Sequence, residues 1–299
     1  MARGKQQPSK APKVHKAELT HTIADFEPAF WPDEQPVDNA VVMTMGALHE
    51  GHAALIRAAR KQVGKDGRVA VTVFVNPLQF GAGEDLDRYP RTLAADVRLA
   101  EENGADVVFA PLPEEVYPNG TPQVRITAGP MGERFEGAAR PGHFDGVLTV
   151  VAKLLHITDP DFAFFGEKDA QQLAVIQRMV ADLDFDVEVI GVPTVREPDG
   201  LALSSRNRFL SESEREQALA LSKALFAGRD VAAQGPKAVR AAASAALDGA
   251  EGVTLDYLAL IDPDDFTEAA DDFQGEAVLA VAAKVGSTRL IDNARIIVR

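Results

Sequence analysis

The sequence predicts an α/β fold: a doubly wound parallel sheet followed by a smaller C-terminal α+β unit. Three observations predict it. Short β-branched and aromatic runs alternate with helical patterns through the first two thirds of the chain, which implies parallel strands joined by right-handed crossovers. After about Thr194 the order changes to Ala-rich helices followed by consecutive strands. Charged and hydrogen-bonding residues collect where the early strand runs end, which is where an open α/β sheet binds its ligand. Size agrees, because 299 residues, 46% of them hydrophobic, suffice for one large or two ordinary cores.

Taken in order, residues 1–16 hold Arg3, Lys5, Lys10, Lys13 and Lys16 with two prolines and no acid, a composition that reads as a solvated, flexible tail. It begins an N-terminal extension over residues 1–38. Strand patterns follow at 41–45, 69–75, 106–110, 162–165 and 187–192, and helical patterns at 53–60, 92–103, 142–157 and 169–182. These make a Rossmann-like sheet over residues 39–194. The turn Glu197-Pro198-Asp199-Gly200 opens residues 195–299, where helices at 212–228 and 236–247 precede strands near 255–261, 277–283 and 288–291.

Composition excludes several function classes. A net charge of -14 argues against a broad nucleic-acid footprint, so an anionic substrate has to be met by a local basic pocket. The absence of cysteine removes disulfides and thiolate metal sites and fits a reducing compartment. No apolar run approaches the roughly 18 residues of a membrane span, since Lys153 and His156 interrupt the stretch 147–157. A signal-peptide core is also missing.

The densest chemistry lies in Thr44-Met45-Gly46-Ala47-Leu48-His49-Glu50-Gly51-His52, between an apolar run and an amphipathic helix. Its two imidazoles fall on neighbouring positions of a helical turn, and Gly51 removes a side chain that would keep a phosphate from the backbone. The amides of the helix start add positive potential. The spacing rules out the zinc-protease pattern H-E-x-x-H. Strand two ends in Phe74-Val75-Asn76-Pro77-Leu78-Gln79-Phe80-Gly81, whose amides can orient a carboxylate or simply form a turn. The stretch from Glu84 to Thr92, with Asp96 one turn into the next helix, can hold a metal or cap a loop.

Arg140-Pro141-Gly142-His143-Phe144-Asp145-Gly146 opens the longest apolar helix, with Arg140 placed as a carboxylate or phosphate fork, while His156 at its far end reads as a core histidine. Strand four runs into Gly166-Glu167-Lys168-Asp169, then Gln171 and Gln172. An ammonium beside Phe164-Phe165 has no partner there, so phosphate neutralisation is its simplest use. Leu203-Ser204-Ser205-Arg206-Asn207 adds two hydroxyls and a guanidinium, or is a helix-capping loop. Converging on one switch point, these groups meet the demands of attack at an α-phosphate: a turn to receive phosphates, imidazoles and a lysine for the transition state, and a basic loop to close over them.

Five segments in order, TMGALHEGH, FVNPLQFG, RPGHFDGV, GEKDAQQL and GLALSSRN, resemble the pantothenate synthetase family, within the nucleotidyltransferase superfamily marked by the HIGH motif. The resemblance runs from about Val41 to Leu210, with GSTRLIDN its clearest later piece. It implies ATP-dependent condensation of pantoate with β-alanine to pantothenate, AMP and pyrophosphate, through a pantoyl adenylate, by a cytoplasmic homodimer. It implies Mg2+ on the ATP phosphates, no tightly bound organic cofactor, and neither nucleic-acid nor membrane partner. ATP contacts are implied for Met45, Gly46, Ala47, Leu48, His49, Glu50, Gly51, His52, Gly166, Glu167, Lys168, Asp169, Val195, Leu203, Ser204, Ser205 and Arg206. Pantoate or β-alanine contacts are implied for Met45, Asn76, Gln79, Arg140, His143 and Gln172. Catalytic roles fall on His49, His52, Lys168 and Arg206, with His52 in the proton-donor position.

Met43, Ala170 and Leu203 depart from the family's usual Pro, aromatic and Met. Ala95 and Leu99 occupy two positions where relatives place metal ligands, which leaves Asp96 as the candidate. Two rival readings stand beside this one. A plain nucleotidyltransferase would need an extra basic acceptor site in place of the paired glutamines, and a non-catalytic ATP sensor would not need both His52 and Lys168.

Overall fold

The computed structural model describes residues 16–31, 37–81, 86 and 89–299. The first sheet contains β1 (Glu18–Thr20), β2 (Asn39–Thr44), β3 (Arg68–Val73), β4 (Val107–Phe109), β5 (Phe162–Gly166) and β6 (Glu188–Val192), in the spatial order β1-β4-β3-β2-β5-β6. Every pairing is parallel. The helices between and before these strands are α1 (Ile23–Phe30), α2 (Glu50–Val63), α3 (Leu93–Glu102), α4 (Pro113–Val116), α5 (Glu136–Ala139), α6 (His143–Thr158) and α7 (Ala170–Asp182). Strand order reverses between β2 and β5, so the switch-point crevice opens at their carboxyl ends.

Alternation along the central strands divides the core. Val41 and Ala70 face α6, while Ala40, Val42, Val69 and Val71 face Leu55, Ile56 and Ala59 of α2. Strands buried on both faces are continuously apolar, which is why β2 and β3 are plain in the sequence. From α6 the side chains of Val147, Leu148, Val151, Leu154 and Leu155 are buried, each contributing about 1.5–3 kcal/mol of transfer free energy.

Downstream lie α8 (Glu212–Asp230) and α9 (Pro236–Leu247), then β7 (Val253–Asp262), β8 (Thr267–Glu268), β9 (Gly275–Val285) and β10 (Thr288–Val298) in the antiparallel order β10-β9-β7-β8. Ser211 and Glu214 start α8 with a reciprocal capping box. The second sheet has two buried faces. Leu279, Val281 and Ala283 of β9 pack under α8 and α9, whereas Val278 and Ala280 pack with Phe266 against Met131, Phe135, Ala170 and Ala174 of the first half. Ala170 thus lies at the junction of the two sheets.

The structure corrects several sequence expectations. The segment read as an extension supplies β1, paired parallel to β4, and α1, whose Phe26 and Phe30 pack with Phe109. Thr22 caps α1 by accepting from Asp25 N–H at 3.1 Å. β2 and β3 end at Thr44 and Val73, short of the expected limits at residues 45 and 75, and β10 runs on to Val298. His156 is exposed against the Phe185 ring, outside the core. The basic tail, apart from Lys16, and most of the acidic stretch 84–88 lie outside the described residues.

Candidate active site

The turn leaving β2 is shaped by Asp96, only 2% exposed. Ala47 N–H donates to its Oδ2 at 3.2 Å, Leu48 N–H to its Oδ1 at 2.8 Å, and the Thr92 hydroxyl to Oδ1 at 3.1 Å. Gly46 at φ +85° and Ala47 at φ +51° turn successive amides toward this carboxylate. Asp96 therefore braces the turn, in contrast to the metal role expected of it. Among the described residues no group of three or more His, Cys, Asp or Glu is arranged to hold a metal ion. A resident Mg2+ does not fit a single carboxylate already turned to amides.

The histidines differ in placement from two neighbours on one helical turn. His49 is the N-cap of α2 and His52 the third helical residue. His49 Nδ1 accepts the Gly51 N–H at 3.1 Å, and His52 Nδ1 accepts the His49 N–H at 3.2 Å, a capping box built from imidazoles. A Cβ on Gly51 would lie 2.8 Å from His49 Cε1, so this glycine makes room for the ring as well as for any phosphate. Burial, followed by the neighbouring His49, holds the His52 pKa down to about 3, with Asp169 opposing. Burial and then Lys168 lower His49 as well. Both rings are neutral at pH 7, and because each Nδ1 accepts, each proton sits on Nε2.

Across the crevice, Met45, Asn76, Gln79, Arg140 and His143 form one network. Gln79 Nε2 donates to Met45 Sδ at 3.0 Å, and its Oε1 accepts from Asn76 Nδ2 at 3.1 Å. The Tyr117 hydroxyl donates to Asn76 Oδ1 at 2.9 Å, and burial raises its pKa, keeping it a donor. His143 Nδ1 and Arg140 Nη2 donate to the Gln79 carbonyl at 2.9 and 3.4 Å, while Arg140 Nη1 donates to His143 Nε2 at 3.0 Å. A carbonyl only accepts and a guanidinium only donates, so these partners fix His143 with its proton on Nδ1. Asn76 Nδ2 also reaches the Gly146 carbonyl at 3.1 Å. A Cβ on Gly146 would stand 2.3 Å from the Leu78 carbonyl, so glycine lets α6 start against this loop.

A cleft of about 300 Å³ lies between the two sheets, lined by Arg140, His143, Lys168, Asp169, Gln172 and Arg206, with Tyr257, Arg289 and Asn293 from the second sheet. Lys168 sits in a single helical turn, Glu167–Asp169, directly after Gly166 of β5. Among the described residues no carboxylate forms an ion pair with its ammonium. Leu203 N–H donates to the Val195 carbonyl at 2.9 Å, and Ser204 accepts the Arg206 N–H at 3.2 Å, opening the turn Ser205–Phe209. Lys168, Ser204 and Arg206 also line a small adjoining pocket.

Other predicted residues point elsewhere. The Glu50 carboxylate is exposed and accepts from Arg57 at 2.5 Å, and Glu167 lies 3.5 Å from Arg295. Gln171 and Gln172 both border the cleft, but the Gln171 amide hydrogens are committed to the Met131 and Arg134 carbonyls at 2.7 and 2.9 Å. Sequence reasoning missed the second sheet's share. Arg289 chelates Glu136 at 2.7 Å through both nitrogens and donates to Asp256 at 2.7 Å, and the Tyr257 hydroxyl donates to Glu136 at 3.0 Å. The GSTRLIDN segment was the available signal. Sequence reasoning also missed Tyr89: burial raises its pKa, Arg206 opposes, and Asp96 and Asp169 reinforce, which sets the ring among those groups.

Comparison with known proteins agrees with this architecture. The family model described as Pantoate-beta-alanine ligase matches residues 18–295. Pantothenate synthetase from Streptomyces avermitilis is 60% identical, covering 85% of this chain and 91% of its own length. The crystal structure of pantothenate synthetase from Thermus thermophilus superposes with a TM-score of 0.85 at 46% identity, covering 93% of this chain and 98% of that one. Pantoate-beta-alanine ligase from Francisella tularensis, complexed with beta-gamma ATP and beta-alanine, gives 0.74 at 32% identity over 93% of this chain and 97% of that one. The chain belongs to the pantoate-beta-alanine ligase family, whose reaction is the ATP-dependent ligation that forms pantothenate.

Proposed function

We propose that the ligation proceeds at this cleft in two steps. A pantoate carboxylate oxygen attacks the α-phosphorus of ATP, the bond to the bridging oxygen breaks, and pyrophosphate leaves. The β-alanine nitrogen, as free amine, then attacks the acyl carbon of the pantoyl adenylate, the bond to AMP breaks, and the nitrogen loses a proton. The first step is needed because a carboxylate and an ammonium at neutral pH do not condense without a leaving group. The observation that carries this reading is the pair of Nε2–H donors on His49 and His52 beside an ammonium, that of Lys168, with no carboxylate partner among the described residues. Neutral donors and one cation suit charge that develops on phosphate oxygens during attack.

Gln79 and Gln172 orient pantoate, because amides bind a carboxylate and hydroxyls without adding charge, while Asn76 and Met45 hold the Gln79 amide in place. Arg140 and His143 hold the Gln79 loop against the substrate, and Arg206 closes from the other side with Ser204 and Ser205. Alignment of the reactants contributes on the order of 7 kcal/mol or more. The Francisella tularensis complex with beta-gamma ATP and beta-alanine supports the same two small-molecule substrates here. Mg2+ would come with ATP as part of that substrate and would neutralise phosphate charge there. The resemblance supports a cytoplasmic homodimer, and the absence of cysteine fits a reducing compartment.

The deciding experiment is exchange of radiolabelled pyrophosphate into ATP with pantoate alone and with β-alanine alone. Exchange is expected with pantoate and without the amine. No exchange with pantoate, together with ADP as the nucleotide product, overturns the adenylate route.

A further inference from the structure

The segment Gly286-Ser287-Thr288-Arg289-Leu290-Ile291-Asp292-Asn293 has no part in the steps above, yet it reaches the first sheet at the turn that carries Lys168. Asn293, 6% exposed on β10, donates one amide hydrogen to the Glu167 carbonyl at 2.9 Å and the other to the Lys168 carbonyl at 2.8 Å. Its own backbone is gripped in turn. Asp292, 4% exposed, accepts the Asn293 N–H at 2.8 Å and is chelated by Arg196 at 2.6 and 2.9 Å. Arg196 also donates to the Asn293 carbonyl at 3.1 Å. A part-buried ion pair therefore fixes an amide whose two hydrogens match two successive carbonyls.

We propose that Asn293 is a positioning residue for Lys168, through which the second sheet completes the ATP site. A lysine stem is flexible and aims its charge only as well as its root is held. The turn after β5 is a single helical turn, and Asn293 supplies both of its side-chain donors to the carbonyls there. The inference rests on the reading that Lys168 contacts the ATP phosphates. If Asn293 served only to dock the two sheets, its loss would weaken activity by the same factor whether or not Lys168 were present.

The test is a double-mutant cycle with Asn293→Ala and Lys168→Ala, read as pantoate-dependent pyrophosphate exchange and as ATP affinity by calorimetry, which remains measurable when turnover does not. Asn293→Ala alone is expected to lower exchange about tenfold and weaken ATP, with the KM for pantoate unchanged. Asn293→Asp, which turns a carboxylate oxygen toward the two carbonyls, is expected to do at least as much. In the Lys168→Ala background the Asn293 substitution is expected to change ATP affinity less than twofold. Equal factors in both backgrounds, or an Asn293→Ala enzyme with normal exchange and ATP affinity, overturn the proposal. Asn293→Ser serves the same cycle if the alanine variant fails to fold. Normal exchange in Lys168→Ala would instead overturn the reading of Lys168 itself.

Discussion

Two histidine clusters flank the crevice and use the same ring in opposite ways. At the start of α2, His49 and His52 accept backbone amides on Nδ1 and keep Nε2–H to offer. At the start of α6, His143 donates Nδ1–H to the Gln79 carbonyl and accepts from Arg140 on Nε2, so its hydrogen is already committed. What differs is the backbone each ring meets. A helix N-terminus presents orphan N–H groups, whereas the loop 76–80 presents a carbonyl. The tautomer follows the backbone, and with it the division between rings that keep an Nε2–H to offer and a ring that braces the loop 76–80.

The largest test of this contrast is removal of the donors. His52→Ala and Lys168→Ala are each expected to lower pantoate-dependent pyrophosphate exchange at least about a hundredfold, ~2.7 kcal/mol in barrier height, while denaturant melts stay within about 1 kcal/mol of the parent. Near-normal exchange in either variant would remove that side chain from the chemistry. His143→Ala should act more mildly, with a loss of about tenfold in kcat/KM for pantoate and little change in KM for ATP, because its ring bonds the Gln79 carbonyl. His143→Asn, which restores a donor, should recover part of the loss. A hundredfold loss shared by both substrates would erase the distinction between the clusters.

The smallest effect is on stability. The folded His52 ring titrates near 3 because it is buried, while an unfolded histidine titrates near its ordinary value of about 6.5. As pH falls below about 6.5 the unfolded chain takes a proton that the folded ring refuses, so the contribution is intact above that pH and is lost progressively toward pH 3, by at most about 1.4 kcal/mol per pH unit. His52→Asn, which keeps an acceptor for the His49 N–H, should flatten that limb in urea melts. Parallel limbs for parent and variant would show that the His52 ring is not the source of that limb.

Much of this was legible in the sequence because the central strands are buried on both faces and therefore continuously apolar. The strand ends carrying His49, Asn76 and Lys168 could be read from the change to polar residues at once. What escaped notice was non-local. β1 is three residues long with one apolar side chain, and it is a strand only because β4 lies beside it. Asp292-Asn293 resembles a turn signal, yet β10 runs through it, because Arg196, 96 residues earlier, satisfies the carboxylate. The tautomers were equally hidden, since they depend on which backbone groups fold against each ring. The Asp96 carboxylate was identified, but its partners across the turn were not, and spacing along one helix cannot reveal them.

Asp96 gives the loop after β2 a character of its own. A concavity of amides is a site for an anion, and here the chain fills it with its own buried carboxylate. The loop is thereby moulded before any nucleotide arrives, so the reorganisation that shapes it is incurred once, when the protein folds, and is absent from each encounter with substrate. Free phosphate or sulfate finds that concavity closed, and on the proposed reading the face left to the nucleotide is the one that carries the His49 and His52 rings.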